Sequence, residues 1–272
     1  MKMIGILLAL VVAACSQSNS SPAETSAPQL PNVPATMPVS TEAACKYPTE
    51  AIEVPDAPTP GTIALTFDDG PNPATTPHVL DVLKKYNIKA TFFLIGQNIV
   101  GNEAIVKRTL REGHNIGVHT WTHPHMPQIS EVEQRREVWK TDRILKQFGN
   151  KRAHVMRFPY GESTCAAEHY VESLHYNIVG WDIDSCDWSY GEGLEKSDCV
   201  PPELQATYKD GYQAWIDYQL NESHGGIMLM HDAEVYEARH VEAEILHLKS
   251  LGYKFVELDR GGYFPKLLSQ AH

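Results

Sequence analysis

The sequence is short of positive charge, of long apolar segments and of paired cysteine motifs, and each shortage excludes a class of protein. Its 272 residues carry 23 Lys and Arg against 34 Asp and Glu, a net charge of −11. Because an acidic chain repels phosphate backbones, we do not expect it to bind nucleic acid through charge. The five cysteines include no C-x-x-C pair, so they do not indicate a metal site. The hydrophobic fraction of 42% is ordinary for a globular protein and excludes wholesale disorder.

The apolar run at the N-terminus has the features of an export signal. It extends from Met3 to Ala14 behind Lys2, and it is too short to span a bilayer, which takes about 20 apolar residues. It ends in Val12-Ala-Ala-Cys15, which resembles a bacterial lipobox. We therefore predict a signal peptide over residues 1–14 and a membrane anchor through lipid on Cys15, with an ordinary cleaved signal as the alternative. In a cell with two membranes, Ser16 at the second mature position predicts the outer membrane.

A tether is predicted between this anchor and the folded part. Residues 15–60 hold nine of the 18 prolines together with many Ser, Thr and Ala, and they show no helical or strand periodicity. Such a composition cannot bury enough surface to fold. We expect one folded domain over residues 61–264 and a short tail over residues 265–272.

The cysteines beyond the lipobox are even in number. In an exported chain this suggests two disulfides, with three possible connectivities, and at least one bridge is expected. Free buried thiols are the alternative. The four residues are Cys45, Cys165, Cys186 and Cys199.

From Thr62 onward, short apolar runs alternate with segments of helical spacing, which is typical of a parallel α/β fold. A capping box, Ser130-Glu-Val-Glu133, predicts the start of one helix. An aromatic stripe in another is interpreted as core rather than as a sugar-binding platform. Seven strands are predicted over 62–67, 89–95, 114–119, 154–158, 176–181, 226–230 and 254–258. Helices are predicted around 80–86 and over 99–112, 130–148, 165–174, 208–218 and 239–251.

Polar residues follow these strands at their carboxyl ends. A (β/α) barrel builds its active site at that face, from several strands. An open doubly wound sheet uses the same ends but at a single switch point, so five contributing strands favour a barrel. The residues are Asp68 and Asp69 after the first strand, His119 and His123 after the third, Arg157 at the end of the fourth, Asp184 and Asp187 after the fifth, and His231 after the sixth.

The segment His119-Thr-Trp-Thr-His123 predicts a metal site. Two imidazoles four residues apart can face one ion, and a catalytic zinc commonly has three protein ligands. The third ligand is expected from Asp68 or Asp69, with the other carboxylate free to act as a base. Two unrelated histidines and a plain acidic turn are the alternatives.

Five segments of the chain resemble, in order, the motifs of the polysaccharide deacetylases, the NodB-homology enzymes of carbohydrate esterase family four. The likeness begins at Thr66 and continues to about Leu258, so it covers the whole predicted domain. It implies a distorted barrel of seven or eight β/α units with one catalytic domain. The segments are Thr66-Phe-Asp-Asp-Gly70, His119-Thr-Trp-Thr-His123, Arg157-Phe-Pro-Tyr-Gly161, Asp184-Ser-Cys-Asp-Trp188 and Leu229-Met-His231.

The resemblance implies a metal centre and a base beside it. Asp69, His119 and His123 would bind a divalent metal, most often Zn²⁺, with Co²⁺, Ni²⁺ or Mn²⁺ as alternatives. Asp68 would be the general base, and Arg157 would hold it ionised and oriented.

The resemblance also implies an acid and a substrate slot. His231 would be the general acid, and Asp187 would favour its protonated form. Trp188 and Leu229 would line the slot for the acetyl methyl group, and the backbone N–H of Tyr160 would help to bind the oxyanion. A histidine suits the acid role because its intrinsic pKa lies near 6.5.

The function implied is metal-dependent removal of acetyl groups from polymers or oligomers of N-acetylglucosamine, such as peptidoglycan, chitin fragments or an exopolysaccharide. An O-acetyl esterase, such as an acetylxylan esterase, would use the same residues. A non-catalytic glycan-binding module would be expected to have lost a ligand, and a metal phosphohydrolase would leave His231 unexplained. The expected partners are an acetylated glycan and, through the lipid, a membrane, and the chain is expected to be a monomer.

Overall fold

The computed structural model describes residues 59–150, 154–189, 199–208, 212–260 and 262–264. The predicted signal peptide, the C-terminal tail and the linker up to residue 58 lie outside these residues and stay predictions. Among the described helices, none combines the length and the apolarity that a membrane crossing requires.

Eight parallel strands form one curled sheet in the described part of the chain. The hydrogen-bonded order is β5-β4-β3-β2-β1-β7-β6, and β8 pairs with the first residues of β1. The expected alternation of strand and helix is confirmed, and the sheet curls as a half-barrel whose described ends are β5 and β6. The strands are β1 Thr62–Asp68, β2 Thr91–Leu94, β3 Asn115–Val118, β4 Val155–Met156, β5 Asn177–Ile178, β6 Ile183–Asp184, β7 Gly226–His231 and β8 Lys254–Phe255.

Eight α-helices are described, all of them between strands. The capping box is confirmed, because the Ser130 hydroxyl accepts the Glu133 N–H and the Glu133 carboxylate accepts the Ser130 N–H. The helix that it opens ends before Gly149, which has a left-handed φ of 64°. The helices are α1 Thr76–Tyr86, α2 Gly96–Ile99, α3 Glu103–Arg111, α4 Glu131–Leu145, α5 Cys165–Ser173, α6 Gln205–Tyr208, α7 Tyr212–Ser223 and α8 Val235–Ser250.

Three predicted helices are wrong at their boundaries. The helix predicted over 99–112 begins four residues too early, because α3 starts at Glu103 and Ile99 is the last residue of α2. Val100 between them is extended, with a ψ of 116°, and Gly101 has a left-handed φ of 86°, so neither is helical. The helix predicted over 208–218 is divided into α6 and α7, and residues 209–211 between them are not among the described residues. The last helix begins at Val235 rather than at Arg239.

One strand was missed in the sequence. The predicted strand over 176–181 shrinks to the two residues of β5, and β6 follows at Ile183–Asp184. Asp184 therefore belongs to β6, and Asp187 follows β6 rather than the fifth strand. A pair of residues is too short to show any periodicity, so neither strand could be separated from sequence alone.

Burial on both faces of the sheet explains why its central strands read as continuous apolar runs. All seven residues of β1 are buried, and Phe67 on β1 stacks on Phe92 of β2 with ring centroids 5.1 Å apart. Parallel strands covered by helices on both sides show this pattern. Trp215 and Tyr218 belong to the predicted aromatic stripe. Trp215 is buried and stacks on Tyr218, as the interpretation of the stripe as core predicts.

A disulfide links Cys186 to Cys199. It joins the loop after β6 to the segment before α6 and packs beside Val200 and Trp215. Cys165 is disulfide-bonded as well. The expectation of at least one bridge is confirmed.

Candidate active site

The turn after β1 sends two adjacent carboxylates in different directions. Asp68 is the last residue of β1 and is buried, and its Oδ1 accepts a hydrogen bond of 2.8 Å from Arg157 Nη1. Asp69 has a left-handed φ of 73°. Its Oδ1 lies 3.4 Å from His119 Nε2 and 3.3 Å from His123 Nε2. One carboxylate is thus held by a cation and the other faces two imidazoles.

The turn after β3 presents those two imidazoles. His119 is buried, and its Nδ1 lies 2.7 Å from the backbone carbonyl oxygen of Arg157. Because a carbonyl oxygen only accepts, Nδ1 carries the proton in this pair and the lone pair of Nε2 faces Asp69. Fixing one ring nitrogen in this way is the usual means by which proteins orient a histidine ligand.

The three side chains fit a divalent metal ion. The Asp69 Oδ1 atom is buried and has no hydrogen-bond partner within the described residues. The ligand atoms of Asp69, His119 and His123 all lie within 4.8 Å of one another. One carboxylate and two imidazoles make a donor set found in catalytic zinc sites, and an ion would satisfy the orphaned oxygen.

The charge states of Asp69 and His123 also suit a metal. Burial raises the pKa of the Asp69 carboxyl, but the imidazoles of His119, His231 and His123 outweigh burial and lower its pKa below the usual range. Burial and the neighbouring His119 lower the pKa of His123 to about 4. An ionised carboxylate and a neutral imidazole are the forms that bind metal.

Arg157 is the cation that fixes Asp68. It follows β4, is fully buried, and donates from Nη1 to Thr66 Oγ1 at 2.8 Å as well as to Asp68. Its other donors reach the carbonyls of Val179 and Gly180. Burial lowers the pKa of Arg157, and the Asp68 carboxylate opposes this. With its donors engaged, the guanidinium leaves Asp68 only one orientation.

His231 at the end of β7 pairs with the buried Asp187. His231 Nδ1 lies 2.7 Å from Asp187 Oδ1, and the His231 backbone N–H donates to Asp187 Oδ2 at 2.6 Å. Burial alone would lower the pKa of His231, but the Asp187 carboxylate outweighs burial and raises that pKa to about 10. His231 is therefore a cation at neutral pH, with Nε2–H free of Asp187.

The remaining predicted residues lie around this centre. Tyr160 is 54% exposed, has a left-handed φ of 59°, and its ring meets His123 edge-on at 4.6 Å. Trp188 is 43% exposed and donates its backbone N–H to Asp187 Oδ1 at 2.9 Å. Leu229 is buried on β7, two residues before His231, so both side chains point to the same face of the sheet.

Sequence reasoning missed several polar residues that contact this site. His125 stacks on Tyr160 with ring centroids 3.8 Å apart and pairs with Glu162 at 2.8 Å. Glu137 on α4 accepts hydrogen bonds from the turn that carries both histidines. His125 could have been noticed in the sequence, because it follows His123 by two positions with one proline between them. No motif spacing indicated Glu137.

The fold and the site together define a hydrolase built on a parallel α/β half-barrel, with its polar centre at the carboxyl ends of the strands. The chain belongs to the polysaccharide deacetylase family, as the five motifs predicted. The family model described as polysaccharide deacetylase matches residues 56–179. A chitooligosaccharide deacetylase of Bradyrhizobium sp. (strain ANU 289) is 36% identical over 216 residues, which cover 78% of this chain and 90% of that protein.

Two further relatives are a peptidoglycan deacetylase sequence and a solved structure of another peptidoglycan deacetylase. A peptidoglycan-N-acetylglucosamine deacetylase of Listeria monocytogenes serotype 1/2a (strain 10403S) is 36% identical over 207 residues. That match covers 76% of this chain but 40% of the relative, so the chain spans less than half of that protein. The structure of the peptidoglycan deacetylase PdaC from Bacillus subtilis matches with a TM-score of 0.59 at 29% identity, covering 78% of this chain and 94% of that one.

Proposed function

We propose that the protein hydrolyses the N-acetyl groups of glycans that contain N-acetylglucosamine, with peptidoglycan as the first substrate to test. One observation carries the proposal: a ligand triad, an Arg-fixed carboxylate and a protonated His–Asp pair meet at one edge of the sheet. Asp68 and His231 occupy paired positions on β1 and β7 there. The names of the relatives support the substrate class.

In this proposal Asp69, His119 and His123 hold the metal ion, with Zn²⁺ as the first candidate and Co²⁺, Ni²⁺ or Mn²⁺ as alternatives. The chemistry that such an ion supplies when bound is acidification of a water molecule and polarisation of a carbonyl. The protein's part is to present one carboxylate and two imidazole nitrogens from two turns that the sheet holds together.

Asp68 is the proposed general base. Arg157 binds Oδ1, so the proton of the attacking water is accepted at Oδ2, which lies 3.7 Å from His119 Nε2 and therefore next to the ligand cluster. The fixed ion pair holds Asp68 in place before substrate arrives, which is how a positioned base lowers the barrier.

His231 is the proposed general acid. An amine is a poor leaving group unless its nitrogen is protonated, and His231 donates that proton from Nε2. Asp187 holds Nδ1 and keeps the ring charged until the transfer. Asp187 thus acts through His231 and has no direct role at the reacting atoms.

Backbone and apolar groups complete the proposed substrate contacts. The N–H of Tyr160 donates to the oxyanion, as preorganised N–H groups do in other acyl-transfer enzymes. Leu229 and Trp188 line the slot for the acetyl methyl group. The exposed ring of Trp188 offers a flat face to the sugar.

The cellular setting follows from the segments that precede the domain. We propose that residues 1–14 direct export, that lipid on Cys15 anchors the chain in the cell envelope, and that the linker over 15–60 lets the monomeric domain over 61–264 reach its glycan. Relatives named for peptidoglycan support a place at the cell wall.

The proposal is tested by acetate release from three acetylated substrates: peptidoglycan, N-acetylglucosamine oligomers and acetylxylan. The zinc-loaded protein is expected to release acetate from one or both amide substrates and to leave free amines, detected by an amine-reactive label. Acetate from acetylxylan alone would replace the amide hydrolase with an O-acetyl esterase. No acetate from any of them, with metal bound stoichiometrically, would contradict the proposed function.

A further inference from the structure

The turn that joins the two histidine ligands has an unfavourable backbone. Thr120 and His123 both adopt left-handed conformations, with φ of 62° and 61°. Neither is glycine, and the β-branched Thr120 is among the residues least suited to this region. Such conformations persist only where the surrounding structure over-determines them. The groups that bond to this turn therefore decide where the two imidazoles lie.

One side of the turn is held through its carbonyls by the start of α2. The Gly96 N–H donates to Thr120 O at 2.9 Å, and the Gln97 N–H donates to Trp121 O at 3.1 Å. The Trp121 ring packs directly on Gly96, where an added Cβ would lie 2.4 Å from the ring. This contact fixes the carbonyl side but leaves the N–H groups of the turn to find another partner.

That partner is the carboxylate of Glu137, on α4. Its Oε2 accepts the N–H groups of Trp121 and Thr122 at 2.8 and 2.7 Å. Its Oε1 accepts the Thr122 hydroxyl at 3.0 Å. Both carboxylate oxygens are thus engaged by the two central residues of the turn. Hydrogen bonds to an ionised acceptor are shorter and stronger than neutral ones, which suits them to hold a strained turn.

We propose that Glu137 is a positioning residue for the metal site: by accepting both central N–H groups, it holds His119 and His123 in their ligand geometry. The Glu137 carboxylate bonds to the N–H groups of Trp121 and Thr122 and to the Thr122 hydroxyl, so it acts on the two imidazoles through the turn between them. The inference rests on the proposed metal site, but not on which glycan is the substrate. It adds α4 to the elements on which the site depends.

The affinity for Zn²⁺ measures this role directly. Loss of an outer contact that orients a metal ligand typically weakens metal binding 10- to 100-fold. We expect Glu137→Ala, which removes all three bonds, to weaken Zn²⁺ binding by about tenfold. Glu137→Gln keeps an oxygen where two N–H groups donate, and its amide can donate to the Thr122 hydroxyl. It is expected to restore most of the affinity.

The experiment uses the full chain, stripped of metal and titrated with Zn²⁺ in competition with a chromophoric chelator. Glu131→Ala, an exposed glutamate on the same helix, is the matched control for charge and helix propensity and should bind Zn²⁺ as the wild type does. Thermal unfolding of each metal-free variant is recorded alongside. Should Glu137→Ala fail to fold, Thr122→Val, which removes only the hydroxyl bond, is expected to weaken binding measurably by itself.

The outcomes separate the possible roles of Glu137. Wild-type affinity in a folded Glu137→Ala, or in Thr122→Val where the alanine variant does not fold, would overturn the proposal. Equal losses in Glu137→Gln and Glu137→Ala would also overturn it, because negative charge rather than hydrogen bonding would then set the affinity. Glu137-dependent Zn²⁺ binding in a protein that releases no acetate would keep this inference and reject the proposed function.

Discussion

Asp68 on β1 and His231 on β7 occupy directly paired positions, in a register that runs unbroken from Ile63 opposite Gly226. Neighbouring strands lie about 4.8 Å apart, so the proposed base and acid are attached to adjacent points of one rigid sheet. Each is held by its own partner, Arg157 for Asp68 and Asp187 for His231. The spacing between base and acid therefore depends on strand pairing, which is much less mobile than loop geometry.

Removal of the carboxylate ligand should abolish metal binding and activity together. Asp69→Ala leaves two imidazoles to hold the ion, and its metal content should fall from stoichiometric to near zero by elemental analysis. Asp68→Asn is the matched variant on the neighbouring residue. It should keep the metal and lose about 10²- to 10⁴-fold in turnover, the usual contribution of a general base. Metal retained in Asp69→Ala would place the ion elsewhere.

The loss of activity on removal of the proposed acid should depend on the leaving group of the substrate. His231→Ala is expected to retain metal and to lose about 10²- to 10⁴-fold in kcat on an N-acetyl substrate. It should lose much less on an activated acetate ester, whose leaving group needs no proton. Parallel acetate-release assays on the two substrates measure the difference. Equal losses on both would argue against His231 as the leaving-group acid.

The pH profile should shift when Asp187 loses its charge. The Asp187 carboxylate is what keeps the pKa of His231 raised against burial. Because the reaction needs His231 protonated, activity is lost as pH rises through that pKa. Asp187→Asn should lower the pKa of His231 and move the alkaline limb of the kcat profile to lower pH. Asp217→Asn, which alters the separate pair with His247, should leave the limb in place. An unmoved limb in Asp187→Asn would contradict the assignment.

Glu244 on α8 should make stability depend on pH. It is buried, and burial raises the pKa of its carboxyl from 4.5 to about 7. The folded state therefore disfavours the ionised form, a penalty that is absent below pH 4.5, grows up to pH 7 and is complete above it. Glu244→Gln should raise the free energy of unfolding by up to about 3 kcal/mol at pH 8 and by nearly nothing at pH 4.

Urea denaturation at both pH values checks the Glu244 prediction. Glu222→Gln, an exposed substitution of the same kind on α7, should change stability little at either pH. A gain for Glu244→Gln that is equal at pH 4 and pH 8 would show that its origin is not the titration of the buried carboxyl.

The sequence indicated those parts of the fold that repeat a local signal. β1, with seven buried residues, and α4, with its capping box at Ser130, were located because each carries its own pattern. The strands β5 and β6 were not separated, because two residues show no period. The break between α2 and α3 was not located, because the extended Val100 and the left-handed Gly101 interrupt a sequence that has helical spacing.

In the candidate site, too, the residues within local motifs were predicted and those brought in by long-range packing were not. The ligand and acid–base residues were found because they stand at fixed short spacings within motifs, such as His119 and His123. Glu137 could not be found, because its carboxylate reaches the turn from a helix 15 residues further on. That contact arises from the packing of α4, which the residues of the turn do not encode. Long-range hydrogen bonds of this kind are visible only in the folded chain.

Metal-dependent deacetylation at this site is tested by acetate release from peptidoglycan and from an N-acetylglucosamine pentamer by metal-stripped protein, before and after Zn²⁺ is restored. We expect no acetate from the stripped protein, recovery on addition of Zn²⁺, and no recovery in Asp69→Ala. Acetate release that persists in the stripped protein would contradict a metal-dependent site at Asp69, His119 and His123. A wild-type protein that binds Zn²⁺ at these residues and still releases none would contradict the proposed deacetylase function.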